Sequence, residues 1–203
     1  MNFQLTEEQT LIQKTAREFS DLELVPGAID RDEKKIWPRE AVNKMGELGF
    51  MGIMVDQKWN GGGMDAISYT IAMEEISRGD ASAGVIMSVN NSLVCSLLEK
   101  FASETINETY LKPLASGEKL GAFSLSEPQS GSDASNMNTH AKKEGDHYFI
   151  TGIKNWVTSG IHSDFVILFA VTTKGIGHKG ISCFIAFQCL EAIALTEIRL
   201  SGL

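Results

Sequence analysis

Near Gly117 the apolar residues of this chain change their period, and that change confines it to a small set of folds. Up to that point they recur at helical spacing. Thr6-Glu7-Glu8-Gln9 reads as a capping box, followed at three- and four-residue steps by Leu11, Ile12, Thr15, Ala16 and Phe19, with Pro26-Gly27 beyond the end. Pro38 opens a second helix through Ala41, Val42, Met45 and Leu48, and Gly49 stops it. Asn60-Gly61-Gly62-Gly63 is a loop, and Asp65 caps a third helix carrying Ile67, Ile71 and Ile76. The run from Val85 to Phe101 is apolar on most sides, the pattern of a helix buried on most sides. Ser103 to Leu111 forms a further helix ending near Pro113. Beyond Gly117 the apolar runs are short, β-branched and aromatic, and separated by turn residues: Lys119–Ser126, His147–Thr151, Phe165–Val171 and Ile181–Phe187. Strands and helices do not alternate, which argues against a doubly wound nucleotide fold. The expected class is α+β: an all-α domain over 1–116, then an antiparallel, barrel-like or sandwich β domain over 117–187.

Composition narrows the function. The 203 residues carry a net charge of −8, which disfavours sequence-independent binding to nucleic acid. The excess acid lies mainly in residues 1–116. Three cysteines, Cys95, Cys183 and Cys189, lack metal-ligand spacing and suit a reducing compartment. The start MNFQLTEEQ is not a basic, apolar leader, and no uncharged stretch is expected to reach membrane-spanning length. A cytoplasmic protein that binds neither nucleic acid nor membrane is expected.

Gly175-Ile176-Gly177-His178-Lys179-Gly180 matches the glycine pattern of dinucleotide sites, but the residues after it read as a strand. That pattern needs a helix N-terminus for the pyrophosphate, so a turn between two strands is the better reading. The four histidines do not pair at metal-ligand spacing, there is no G-x-S-x-G elbow, and Cys95 reads as an inert core thiol. Asn90, Asn91 and Ser92 interrupt an apolar helix, as a satisfied core network or as the lining of a polar cavity. Ala122–Asp133 leads a strand into a loop rich in Ser and Gly, where Ser126 and Ser132 can donate and Gly131 lets backbone N–H groups approach an anion. Lys154-Asn155-Trp156-Val157-Thr158-Ser159-Gly160 sets a large aromatic beside a hydroxyl. Each cluster alone is compatible with turn chemistry; together they suggest a flat, hydrogen-bonding ligand.

The stretches Met73–Ser82 and Gly84–Leu93, then Phe123–Asp133 and Lys154–Gly160 in that order, resemble the acyl-CoA dehydrogenase family and its short-chain, butyryl-CoA branch. The resemblance covers residues 1 to about 187. It implies a helical N-terminal domain, a middle β domain and a C-terminal helical domain, the last absent from these residues. It implies FAD as cofactor, with Phe123, Leu125 and Ser126 contacting the flavin. Gly131 and Ser132 would lie at the phosphates and the edge of the thioester channel, and Trp156, Val157 and Thr158 would flank the ring, the Thr158 hydroxyl near N5. Ser132, Asn90, Asn91 and Leu93 would serve the substrate, the helix closing the acyl cavity. The implied reaction is α,β-dehydrogenation of a short-chain acyl-CoA to enoyl-CoA, with electrons passed to an electron-transfer flavoprotein and a homo-oligomeric full-length enzyme. The family's base is a glutamate of the C-terminal domain, so the 203 residues alone are expected to be inactive; Glu127 is read as shaping its loop. Gln129-Ser130 and Trp59-Asn60 depart from the family pattern, and residues 188–203 form an anomalous tail. Competing readings are a non-catalytic fragment binding acyl-CoA or a partner subunit, and a flavin monooxygenase or oxidase of the same fold.

Overall fold

In the computed structural model the described residues are 4–187 and the backbone of 195–198. Helix α1 (Glu7–Phe19) begins at the capping box: Gln9 N donates to Thr6 Oγ1 and Thr6 N to Gln9 Oε1, both at 3.1 Å. A π-helical turn over Ser20–Leu24 prolongs α1, and Gly27, at φ 82°, redirects the chain into α2 (Ala28–Lys34). Pro38 stands just ahead of α3 (Arg39–Glu47), and Gly49, at φ 77°, follows its end. Asp65 caps α4 (Ala66–Gly79) through Ser68 N at 2.7 Å. Asp80 caps the next helix, α5 (Ala81–Phe101), through Ser82 N and Ala83 N. A helix over 104–115, α6, runs through Pro113 instead of stopping there; a π-helical turn, Asn107–Leu111, precedes the proline.

Helix α5 corrects one expectation. Its 21 residues are long and apolar enough, by length and composition alone, to cross a membrane. Half of its apolar window is buried in the protein, because α5 is the axis on which the two parts meet. Its first turns pack Ala83, Ile86 and Met87 with Ala16, Met45 and Ile76 of the helical core. Farther along, Val94, Cys95 and Leu98 share a second core with Leu111 and Leu114 of α6 and with Ile167, Cys183 and Ile185 of the sheet.

The sheet comprises β1 (Gly121–Ser124), β2 (His140–Glu144), β3 (His147–Thr151), β4 (Phe165–Val171), β5 (Ile181–Phe187) and β6 (Leu195–Ile198). Its order is β3-β2-β4-β5-β6, with β1 also paired to β4. It is one mixed sheet, not the antiparallel barrel or sandwich expected from the strand composition. β1 lies parallel to β4, Gly121 opposite Phe165, and β2 meets β4 in parallel at His140 and Val171. The remaining pairs are antiparallel. The reason is connectivity: the loop and hairpin between β1 and β4 bring the chain back in its starting direction, and residue type does not encode direction. The Gly175–Gly180 connection is the expected turn, a short 3-10 segment leading straight into β5. Of the tail, residues 195–198 form β6 beside β5, and the rest lies outside the described residues.

Candidate functional site

Two segments converge beside the C-terminal end of β1. One leaves β1 through Leu125 and Ser126; the other comes from β3 and reaches Trp156. Asn155 N donates to Ser126 O at 2.8 Å, and the Lys154 ammonium donates to Leu125 O at 2.9 Å and to Glu127 Oε1 at 2.8 Å. Residues 127–130 close a tight turn with reciprocal backbone bonds between Glu127 and Ser130 of 2.8 and 3.1 Å. The buried Glu127 carboxylate also accepts from Asn138 N at 2.6 Å, Thr139 N at 3.0 Å and Gln129 Nε2 at 2.7 Å. Burial by itself would raise the pKa of Glu127; the Lys154 ammonium and the two backbone N–H groups outweigh it and hold the carboxyl at about 2. Burial lowers the pKa of Lys154, and its bond to Glu127 opposes that shift. Glu127 is an anchored carboxylate at neutral pH, with four donors around it.

The residues at the rim are not spent in this way. Phe123 is half-buried on β1 against Phe169, and Leu125 and Ser126 are half-buried just beyond it. Gly131 and Ser132 sit on an exposed turn, with open space where a Cβ on Gly131 would be. Trp156 takes the left-handed φ of 59° and leaves its residue surface 91% exposed. Val157 and Thr158 follow, half-buried, and Ser159 has a second left-handed φ, 61°. Among the described residues, the hydroxyls of Ser126, Ser132 and Thr158 have no hydrogen-bond partner, and Ser159 Oγ is buried without one. A flat apolar face, unpaired hydroxyls at its edge and an unobstructed glycine backbone are what a flavin with a phosphate arm needs. The residues present fit the FAD implied by the resemblance.

The cavity residues read from the sequence divide. Asn90 is fully buried in the π-helical turn of α5, Val89–Cys95. Its amide donates to Met51 O at 2.8 Å and Leu114 O at 3.1 Å, and its Oδ1 accepts from Gly121 N at 3.0 Å. Asn91 donates to Phe50 O and Met87 O, while its buried Oδ1 has no partner among the described residues. Leu93, 40% exposed, points out of the core on the other face. Farther along the surface, a cleft of about 480 Å³ separates the helical part from the Thr158–His162 loop, with Ile36, Trp37, Ser82 and Val85 opposite Thr158 and Ser159. His162 stacks on Trp37 at 4.7 Å, and its carbonyl accepts from Arg39 at 3.2 Å. Sequence reasoning assigned no role to Lys154 or Ser159. The Glu127–Lys154 pair is 27 residues apart, with no periodic signal to join it.

Comparison with known proteins gives the site its context. The family model "Acyl-CoA dehydrogenase, N-terminal domain" matches residues 6–118, and "Acyl-CoA dehydrogenase, middle domain" matches 122–198, past Phe187 and into the tail. The short-chain specific acyl-CoA dehydrogenase of Clostridium acetobutylicum is 44% identical over 98% of this chain and 52% of its own length. Butyryl-CoA dehydrogenase from Megasphaera elsdenii superposes with a TM-score of 0.88 at 36% identity, over 94% of this chain and 51% of the other. A chain from the electron transferring flavoprotein structure of Acidaminococcus fermentans reaches 0.90 at 40% identity, over 94% and 50%. The chain thus spans about half the length of the curated relatives it matches. Two family domains in order, covering the helical part and the sheet that carry the converging segments, settle the assignment: the chain belongs to the acyl-CoA dehydrogenase family.

Proposed function

We propose that these residues are the N-terminal and middle parts of an FAD-dependent dehydrogenase that converts short-chain acyl-CoA thioesters to enoyl-CoA, with an electron-transfer flavoprotein as electron acceptor. The observation that carries the reading is the rim itself. The hydroxyls of Ser126, Ser132 and Thr158 lack partners among the described residues and stand with an exposed Trp156 around two converging segments. The similarity to short-chain relatives supports the substrate class, and the Acidaminococcus structure supports the acceptor.

Bound FAD supplies the acceptor for the β-hydride. Phe123, Leu125 and Ser126 would hold one side of the ring, and Trp156, Val157 and Thr158 would flank it. Gly131 and Ser132 offer a backbone N–H and a hydroxyl to phosphate. The Thr158 hydroxyl would be the donor toward N5, where it would help to hold and orient the ring. The α proton goes to a glutamate of the C-terminal domain, which these residues do not include. Glu127 is unsuited to that task, because it is anchored as a carboxylate by four donors. Leu93 lies on the outward face of α5, from which it would help to close the acyl cavity, and Asn90 and Asn91 fix that helix from behind.

The test is anaerobic reduction of the FAD-loaded full-length protein by thioesters of graded length. Four-carbon butyryl-CoA should bleach the flavin fastest. Turnover of a twelve-carbon thioester at an equal or higher rate would overturn the short-chain assignment, and failure to bind FAD would overturn the flavin reading.

A further inference from the structure

Lys154 and Glu127 are the most deeply placed ion pair beside the proposed flavin site, with side chains 8% and 1% exposed. The pair ties three stretches of chain together. Lys154 holds the Leu125 carbonyl at the end of β1, and Glu127 holds the backbone N–H groups of Asn138 and Thr139 at the entry to β2. Lys154 itself sits two residues before Trp156. The neighbouring backbone is also close: a Cβ on Gly152 would collide with the Thr139 side chain.

Trp156 needs such support. A left-handed φ is uncommon for a bulky residue and costs energy. An indole 91% exposed does not repay that cost by packing within the chain. The turn is held from its flanks: Asn155 N bonds Ser126 O on one side, while Gly160 N bonds Val157 O at 3.0 Å and Ser163 N bonds Ser159 O at 2.8 Å on the other. The first flank depends on where Lys154 is pinned.

We propose that the Lys154–Glu127 pair is a positioning latch for the flavin site: it sets segment 125–126 against segment 154–158 and sustains the left-handed Trp156, and so places Thr158. The pair acts through the Leu125 carbonyl and the Trp156 turn without itself touching the ring. This inference rests on the flavin reading above.

Stability alone does not require an ionic latch here, since a buried pair replaced by neutral groups of similar size is often close to neutral in stability. That separates positioning from folding. In the full chain, Lys154→Met combined with Glu127→Gln keeps side-chain volume and leaves an acceptor for one of the two N–H groups of Asn138 and Thr139. The double variant should retain its thermal midpoint within a few degrees and bind FAD at least tenfold more weakly by calorimetry. It should also shift the visible absorption of the bound flavin and exchange the Asn155 amide faster in the FAD-free protein. Glu127→Gln alone should show a smaller loss of the same kind. Glu75→Gln, in the Arg17–Glu75 pair of the helical part, is the control: it should lower stability and leave FAD affinity per folded molecule unchanged. FAD binding by the double variant within twofold of wild type, with an unshifted spectrum, would overturn the latch. If the double variant does not fold, an unchanged affinity in Glu127→Gln overturns it equally. A wild-type protein that binds no FAD defeats the flavin reading instead, and the Asn155 exchange rate then decides the latch by itself.

Discussion

Asn90 and Thr158 are both polar residues in the two halves of one site region, yet their side chains are used in opposite ways. Asn90 is fully buried and gives both amide hydrogens and its oxygen to backbone groups of three separate segments. Thr158 sits half-buried at the rim with no partner for its hydroxyl among the described residues. The first binds α5, α6 and β1 into one body; the second is left available. Close packing makes the clasp tight: a Cβ on Gly121 would come within 2.5 Å of Val94 Cγ1, so β1 lies directly against α5. Asn90 serves the fold and is saturated inside the chain, whereas Thr158, proposed to serve a ligand, is held in place unsaturated.

The contrast is broken most forcefully at Asn90. Asn90→Leu leaves Met51 O, Leu114 O and Gly121 N buried without their partner, which should cost about 3–4 kcal/mol of folding stability. Urea unfolding measures it, and a cost below about 1 kcal/mol would show that the clasp is dispensable. FAD affinity per folded molecule should not change.

Next in size is the acid limb of stability. Glu127 has an ordinary carboxylate pKa of 4.5 when unfolded and about 2 when folded. Its contribution is therefore fully present above pH 4.5 and is lost as pH falls toward 2, by about 3 kcal/mol in all. Glu127→Gln should flatten that limb, so that variant and wild type differ at pH 7 and converge near pH 2. Parallel pH profiles in urea titrations would mean that the carboxylate is not anchored as described.

These two sites also show what could be read from the sequence. The caps at Thr6 and Asp65, the stop at Gly49 and the turn at Gly175–Gly180 are local devices, each legible because its chemistry lies within a few residues. Helix α2 was not legible: none of its residues is buried, so it has no apolar stripe to reveal it. Strand β2 was hidden for a related reason, since His140-Ala-Lys-Lys-Glu is mostly polar and exposed. Its hairpin partner begins after Gly145-Asp146, and that dipeptide was the available signal. The parallel pairing of β1 with β4 and the Glu127–Lys154 bond are long-range facts without periodicity. For Asn90 the sequence left a core network and a cavity both open, and only the positions of Met51, Leu114 and Gly121 supply the partners. The rim was legible because Phe123–Asp133 and Lys154–Gly160 are compact motifs, although their meeting through Ser126 and Asn155 is again long-range.

Thr158→Ala sharpens the comparison from the other side. Because the hydroxyl has no partner in the described residues, its removal should alter folding stability by less than about 0.5 kcal/mol. In the full-length enzyme it should slow flavin reduction by about 1–3 kcal/mol of barrier, more than it weakens acyl-CoA binding. Stopped-flow reduction at an unchanged rate would remove Thr158 from the site.

The smallest effect on stability is expected where the largest side chain is removed. Replacing a core tryptophan by a small residue costs about 3–5 kcal/mol through lost burial and a cavity. Trp156 offers neither term, being 91% exposed. Its φ of 59° adds a strain that glycine does not feel, while glycine gains entropy in the unfolded chain. The two contributions oppose each other at about 1 kcal/mol each, so Trp156→Gly should move the urea midpoint very little. Trp59→Gly is the counterpart within the same chain: Trp59 is 4% exposed in the second core and should lose several times more stability. The FAD affinity of Trp156→Gly should nevertheless fall, since the exposed indole is the flat face proposed to meet the ring. A variant that loses several kcal/mol of stability would place the indole in the protein's own packing, and one that keeps full FAD affinity would take it out of the flavin site.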